Sequence, residues 1–193
     1  MSPLLQTFAN GSALGYRSLS AAAAGDYESI ATATGNGSAW EITFSSIPST
    51  YTHLQIRCIA NASNTNTAMN MRINGDTGSN YTRHRLIGNG STASAAGSTS
   101  LTQIPALGNA GLPTTNSTYG VFVWDILDYT NTNKYKTVRY LSGQDSNGSG
   151  GVDFGSGLWL NTNAITSITL KSNDSGGVYN TASHFALYGI KSA

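Results

Sequence analysis

The chain has 193 residues, of which only 10% are charged, against about 25% in an average soluble protein. Lys and Arg number 10 against 9 Asp and Glu, while Ser, Thr, Asn and Gly together supply 88 residues. The expected surface is therefore one of hydroxyls and amides. This balance argues against nucleic-acid binding, which rests on clustered basic charge, and no apolar run approaches the ~18 residues of a spanning helix.

The hydrophobic share is 39%, with 10 Tyr, 5 Phe and 3 Trp. Disordered chains lack such aromatics. Low charge with many Thr, Tyr and Gly reads as an all-β protein with Gly, Asn and Ser in its turns.

Residues 1–26 show no sustained apolar period and contain an alanine run at 21–24. Two readings stand: a flexible tail, or an extended arm that docks on a neighbouring subunit and buries Leu4, Leu5, Phe8 and Leu14. No basic n-region or long apolar h-region is visible, so no secretory leader is expected. The single cysteine, Cys58, cannot form an intrachain disulfide, which fits a reducing compartment. The Asn-x-Ser/Thr triplets at Asn61 and Asn116 are what chance gives in so Asn-, Ser- and Thr-rich a chain.

From residue 27 the pattern has period two. A first short strand is expected over 27–33. Over 40–44, Trp40, Ile42 and Phe44 share an inward face, opposite Glu41 and Thr43. Pro48 interrupts, because proline has no ladder donor. Over 53–60, Leu54, Ile56, Cys58 and Ala60 point inward. Met69, Met71 and Ile73 then alternate with Asn70, Arg72 and Asn74, and Asn74-Gly75 is a hairpin-type turn signal. A weaker strand covers 81–87, with polar groups on both faces.

Residues 88–118 read as a long connection rich in Gly, Ser, Thr and Ala, anchored at 104–107; loops of that length are often functional. The strongest apolar run, 119–129, predicts a central strand buried on both faces for part of its length, with Val121 and Val123 in the core. Strands follow over 135–141, 152–160, 165–170 (core Ile168 and Leu170) and 184–190 (core Leu187), with a turn at 145–151. About nine strands and no helical stripe predict an antiparallel β-sandwich, jelly-roll-like, over residues 27–193, preceded by an extended N-terminal arm, residues 1–26. An immunoglobulin-like sandwich fits less well, since it needs only about 100 residues.

Chemistry is harder to find. His53, His84 and His184 have no metal-ligand spacing, and no Gly-x-Ser-x-Gly elbow opens a hydrolase site. Asp125 and Asp128 read as structural, paired with Lys136 or Arg139, with a catalytic carboxylate pair as the alternative. The stretch from Asp145 through Asn147 to Asp153 offers oxygen ligands in a Gly loop, as calcium requires, but lacks the EF-hand glutamate and spacing. Tyr51, Tyr81, Tyr119, Tyr129, Tyr135 and Tyr140, with Trp40, Trp124 and Trp159, read as core and sheet packing before they read as a sugar-stacking surface. No catalytic, cofactor or metal residue is expected.

Several segments resemble virion proteins of tailed phages, many from cyanobacterial and marine hosts. They are 40–57 (WEITFSSIPSTYTHLQIR), 126–129 (ILDY) with 136–137 (KT) and 141–143 (LSG), 157–159 (GLW) with 165–170 (ITSITL), and 185–190 (FALYGI). The resemblance covers most of residues 40–190 and rests on sheet-forming segments, so it implies fold and virion role rather than a reaction. It implies a capsid decoration (cement) protein, a homotrimer bridging major capsid proteins, made in the host cytoplasm and carried on the phage particle. The alternative is a tail-fibre or receptor-binding module for host-surface polysaccharide, using the 88–118 connection and the tyrosines.

Overall fold

Side-chain alternation becomes strand after strand in the computed structural model, which describes residues 26–63, 68–106, 113, 117–172 and 177–191. Leu4, Leu5, Phe8 and Leu14 lie outside the described residues. The strands are β1 (Tyr27–Thr34), β2 (Glu41–Phe44), β3 (His53–Ala60), β4 (Met69–Ile73), β5 (Tyr81–Gly88), β6 (Ala93–Leu101), β7 (Ile104–Ala106), β8 (Gly120–Ile126), β9 (Lys136–Asp145), β10 (Gly150–Trp159), β11 (Ile168–Lys171) and β12 (His184–Ile190). No helix occurs among the described residues.

The strands form two antiparallel sheets packed face to face. The larger has the order β1-β12-β3-β8-β9-β10-β5-β6, the smaller β2-β11-β4-β7. Four pairs are nested: β1 with β12, β2 with β11, β3 with β8, and β4 with β7. The chain thus follows one long hairpin rolled over itself, successive pairs falling in alternate sheets, which is the jelly-roll path. Two further hairpins, β5–β6 and β9–β10, are inserted into that path and extend the larger sheet beyond β8. The expected jelly-roll sandwich is therefore present, with twelve strands among the described residues where about nine were expected.

The core fills the space between the sheets. From the larger sheet come Leu54, Ile56, Phe122, Trp124 and Leu187; from the smaller, Phe44, Met71, Ile168 and Leu170, each at most 4% exposed. Trp124 lies against Tyr140 with ring centroids 4.8 Å apart. The inner face of β10 carries glycines because its neighbours come so close. A Cβ at Gly155 would lie 2.3 Å from the Tyr140 ring, and one at Gly157 would lie 2.6 Å from Ile104.

Four of the expected core residues are placed differently. Trp40 precedes β2 and is 37% exposed, its ring 4.6 Å from the Lys171 ammonium; Ile42 is only partly buried against the core. On β8 the inward set is Phe122, Trp124 and Ile126, so Val121 is exposed and Val123 half-buried. An uninterrupted apolar run offers two equivalent faces, and alternation alone does not choose between them.

Two further expectations change. Residues 88–118 are not one long connection: they contain β6, an edge strand of Ala, Ser, Gly and Thr exposed along most of its length, and β7. The Asn74-Gly75 turn closes no hairpin; with φ of 50° and 66° it carries the chain from β4 in the smaller sheet to β5 in the larger. Side chains brace this crossover. The Asn74 Oδ1 accepts from the Thr166 and Ser167 N–H groups at 2.8 and 3.0 Å, and the Trp159 indole N–H donates to Asp76 at 2.7 Å.

Candidate functional site

The candidate catalytic and metal groups are scattered. His53 Nδ1 accepts the Asp128 N–H at 3.0 Å, while His84 and His184 are exposed on other strands. Asp125 accepts from Gln55 at 2.8 Å. Asp128 pairs with Lys134; that hydrogen bond, opposed by partial burial, holds its carboxyl below the usual range. Asp125 lies directly across from Arg139 on β9, as the sequence suggested, but no ion pair joins them among the described residues, and Asp128 pairs with Lys134 rather than Lys136. Instead, Lys136 donates to the carbonyls of Asn131, Lys134 and Thr162.

The Asp145–Asp153 stretch does not converge either. Asp145 caps its own turn by accepting the Asn147 N–H at 2.8 Å, whereas Asp153 points into the interior, fully buried. Among the described residues no group of three or more His, Cys, Asp or Glu is placed to hold a metal ion. The tyrosines are divided too: Tyr81, Tyr129 and Tyr140 are in the core, and Tyr135 is exposed. Burial raises the Cys58 thiol well above its ordinary pKa.

The unusual surface is the outer face of the larger sheet, where antiparallel register lines up side chains from six strands. One row across the strands reads Arg57, Val123, Leu141, Phe154, Leu86 and Ala95. The adjacent row reads Ile59, Val121, Gly143, Val152, Gly88 and Ala93. Ile59, Val121, Leu141, Val152, Phe154 and Leu86 are between 46% and 57% exposed. With neighbouring strands about 4.8 Å apart, the stripe from β3 to β6 is about 24 Å long.

The profile is a ridge beside a groove. Leu141, Phe154 and Leu86 stand up; next to them a depression of about 660 Å³ is lined by Gly88, Asn89, Tyr119, Val121, Gly143, Gln144, Asp145 and Val152 among others. Beyond the ridge a second shallow depression lies over His84, Gly97, Arg139 and Ser156. Isolated exposed apolar residues are ordinary, but a contiguous stripe of several hundred Å² marks a binding surface.

Beneath the β9, β10 and β5 part of this stripe the inner face carries polar groups. Asp153 lies under the sheet with Arg85 Nη1 at 3.7 Å and the Tyr140 hydroxyl at 3.4 Å. Arg83 donates from Nη1 to the Pro105 carbonyl of β7 at 2.9 Å. Burial and then the Asp153 charge push the Tyr140 phenol above its ordinary pKa. In this part of β9, β10 and β5, then, Ser142, Asp153, Arg83 and Arg85 face in, while Leu141, Val152, Phe154 and Leu86 face out. This stripe is hidden in the sequence because it joins residues from strands far apart in the chain; the available signal was the apolar side chain on both faces of 121–124, and Val152 and Phe154 flanking a carboxylate.

Comparison of the chain with protein-family models, curated proteins and solved structures finds no match.

Proposed function

We propose that this protein is a non-enzymatic structural component of a tailed-phage particle. In this reading it is a capsid decoration protein that adds contacts between capsid proteins and between its own copies. The observation that carries the reading is the exposed apolar stripe on the larger sheet, a surface suited to holding another protein surface rather than a small polar substrate. The low charge supports it, since contacts built from apolar and hydroxyl groups lose little to salt screening. The sequence resemblance supplies the virion setting. Residues 1–26 act as an arm reaching a neighbouring capsid protein.

Copy number per virion tests this reading. Hundreds of copies support a capsid position, and a few dozen or fewer overturn it in favour of the tail. Deleting residues 1–26 should leave a folded domain with weaker attachment to capsids, and unchanged occupancy would remove the arm's role.

One observation favours a second reading, a tail module that binds host polysaccharide: Tyr119, Asn89, Gln144 and Asp145 line the same open depression, and an aromatic ring among amides and a carboxylate is suited to a sugar. Specific binding to a glycan array by the purified protein would support that reading against the first.

A further inference from the structure

The ridge and groove on the outer face are complementary to each other. Consider a two-fold axis lying in the plane of this face, running across the strands and crossing β9 between Leu141 and Gly143. Rotation about it brings a second copy face to face, with each strand over its own counterpart and reversed in direction. The ridge row of one copy then lies on the groove row of the other. Leu141 meets the second copy's Gly143, Leu86 meets Gly88, and Phe154 meets Val152. Two large side chains thus fall on two positions that have no side chain. One step further along β9, Arg139 meets the second copy's Asp145. Both are exposed, and neither is held in an ion pair among the described residues, so the symmetry gives the contact two charge pairs at its rim.

We propose that this face binds a second copy of the same chain in that two-fold arrangement. Stacked sheets keep their strand directions within about 30° and lie about 10 Å apart. The match is therefore tightest near the axis, where Leu141, Gly143, Phe154 and Val152 sit. A face about 24 Å by about 20 Å contributes on the order of 500 Å² from each copy. The total is then close to the ~1,000 Å² at which specific interfaces begin. A face complementary to itself closes as a pair, so this contact gives a dimer where the resemblance implied a trimer. The proposal deepens the reading of a gripping sheet face by naming what that face holds.

Sedimentation velocity of the full chain over a concentration series tests it, with circular dichroism to confirm folding. The wild-type protein is expected to show a concentration-dependent dimer. Leu141→Asp should abolish it. Gly143→Leu should abolish it too, although it adds apolar surface, because it fills the groove. A Cβ there meets nothing closer than the Gly151 carbonyl at 3.4 Å, so folding should survive. Arg139→Glu and Asp145→Arg should each weaken association by about tenfold or more, since every single reversal sets two like-charge pairs against each other. The double reversal should return it to within a few-fold of wild type. A monomer at all concentrations overturns the proposal, as does a dimer indifferent to Gly143→Leu or a double reversal no better than the singles. Hundreds of copies per virion with a monomeric protein in solution would leave the particle reading standing and remove this one.

Discussion

The larger sheet has two halves whose inner faces differ. In the rolled half, β12, β3 and β8 turn Phe185, Leu187, Leu54, Ile56, Phe122 and Trp124 toward the smaller sheet. In the added half, β9, β10 and β5 place Lys136, Ser142, Asp153, Arg83 and Arg85 on that inner side, and Leu141, Val152, Phe154 and Leu86 outside. The smaller sheet explains the difference. It ends at β7, which covers the added strands only in part: there Tyr81, Val138, Tyr140 and Trp159 join the core, and the rest of the inner side is closed with charge and hydroxyls. The roll holds most of the apolar core, and the extension presents the apolar stripe to the outside.

The largest test of that division is Trp124→Ala, which should cost about 3–5 kcal/mol in denaturant unfolding, as truncation of a fully buried aromatic does. If the loss stayed under about 1 kcal/mol, the roll would not be the stabilising half. Asp153→Ala probes the polar underside. It leaves buried arginines without their carboxylate and should cost about 3 kcal/mol; a neutral result would mean that the inverted interior carries no load.

Asp76 ties the crossover to the end of β10, and its pH dependence sharpens the boundary between the halves. Partial burial alone would raise this carboxyl, but hydrogen bonds from Trp159, Asn80 and the Gly78 N–H, with the Arg72 charge, outweigh it and hold the group below its ordinary value. The stabilisation is therefore complete above the ordinary carboxyl pKa of about 3.9 and is lost as pH falls through the lowered folded value. Unfolding midpoints of wild type and Asp76→Asn should differ at neutral pH and converge under acid. A gap that stayed constant from pH 7 to pH 2 would break this account.

Smaller effects are expected outside. Trp40→Ala should cost about 1–2 kcal/mol, since the ring is part-exposed but the Lys171 ammonium it covers belongs to a buried residue. Phe154→Ser, measured where the chain is monomeric, should change folding by under about 0.5 kcal/mol, as surface substitutions do, while reducing self-association. A large folding loss at Phe154 would mean that the stripe belongs to the core.

How much of this was legible in the sequence follows from what is local. The strands over residues 53–60 and 184–190 lie where alternation put them, because each has one clearly apolar face. β6 gave no signal, since an edge strand exposed along most of its length has no buried face to mark with apolar residues. Val121 and Phe122 are equally apolar neighbours, and only the packing of the larger sheet against the smaller one decides which face is inside. The Asn-Gly turn was visible, but its role as a crossover was not, because a turn does not state which sheet receives the next strand. The stripe required the register of six strands, which no single segment contains.

The rolled hairpin also sets how the molecule bears force. Tyr27 at the start of β1 pairs with Ile190 at the end of β12, and the Asp26 carbonyl accepts the Lys191 N–H. Tension applied to the chain on either side of the roll would peel these two strands apart one hydrogen bond at a time, the weakest way to load a ladder. Load entering across the broad face of the larger sheet would instead be shared by all its strands together.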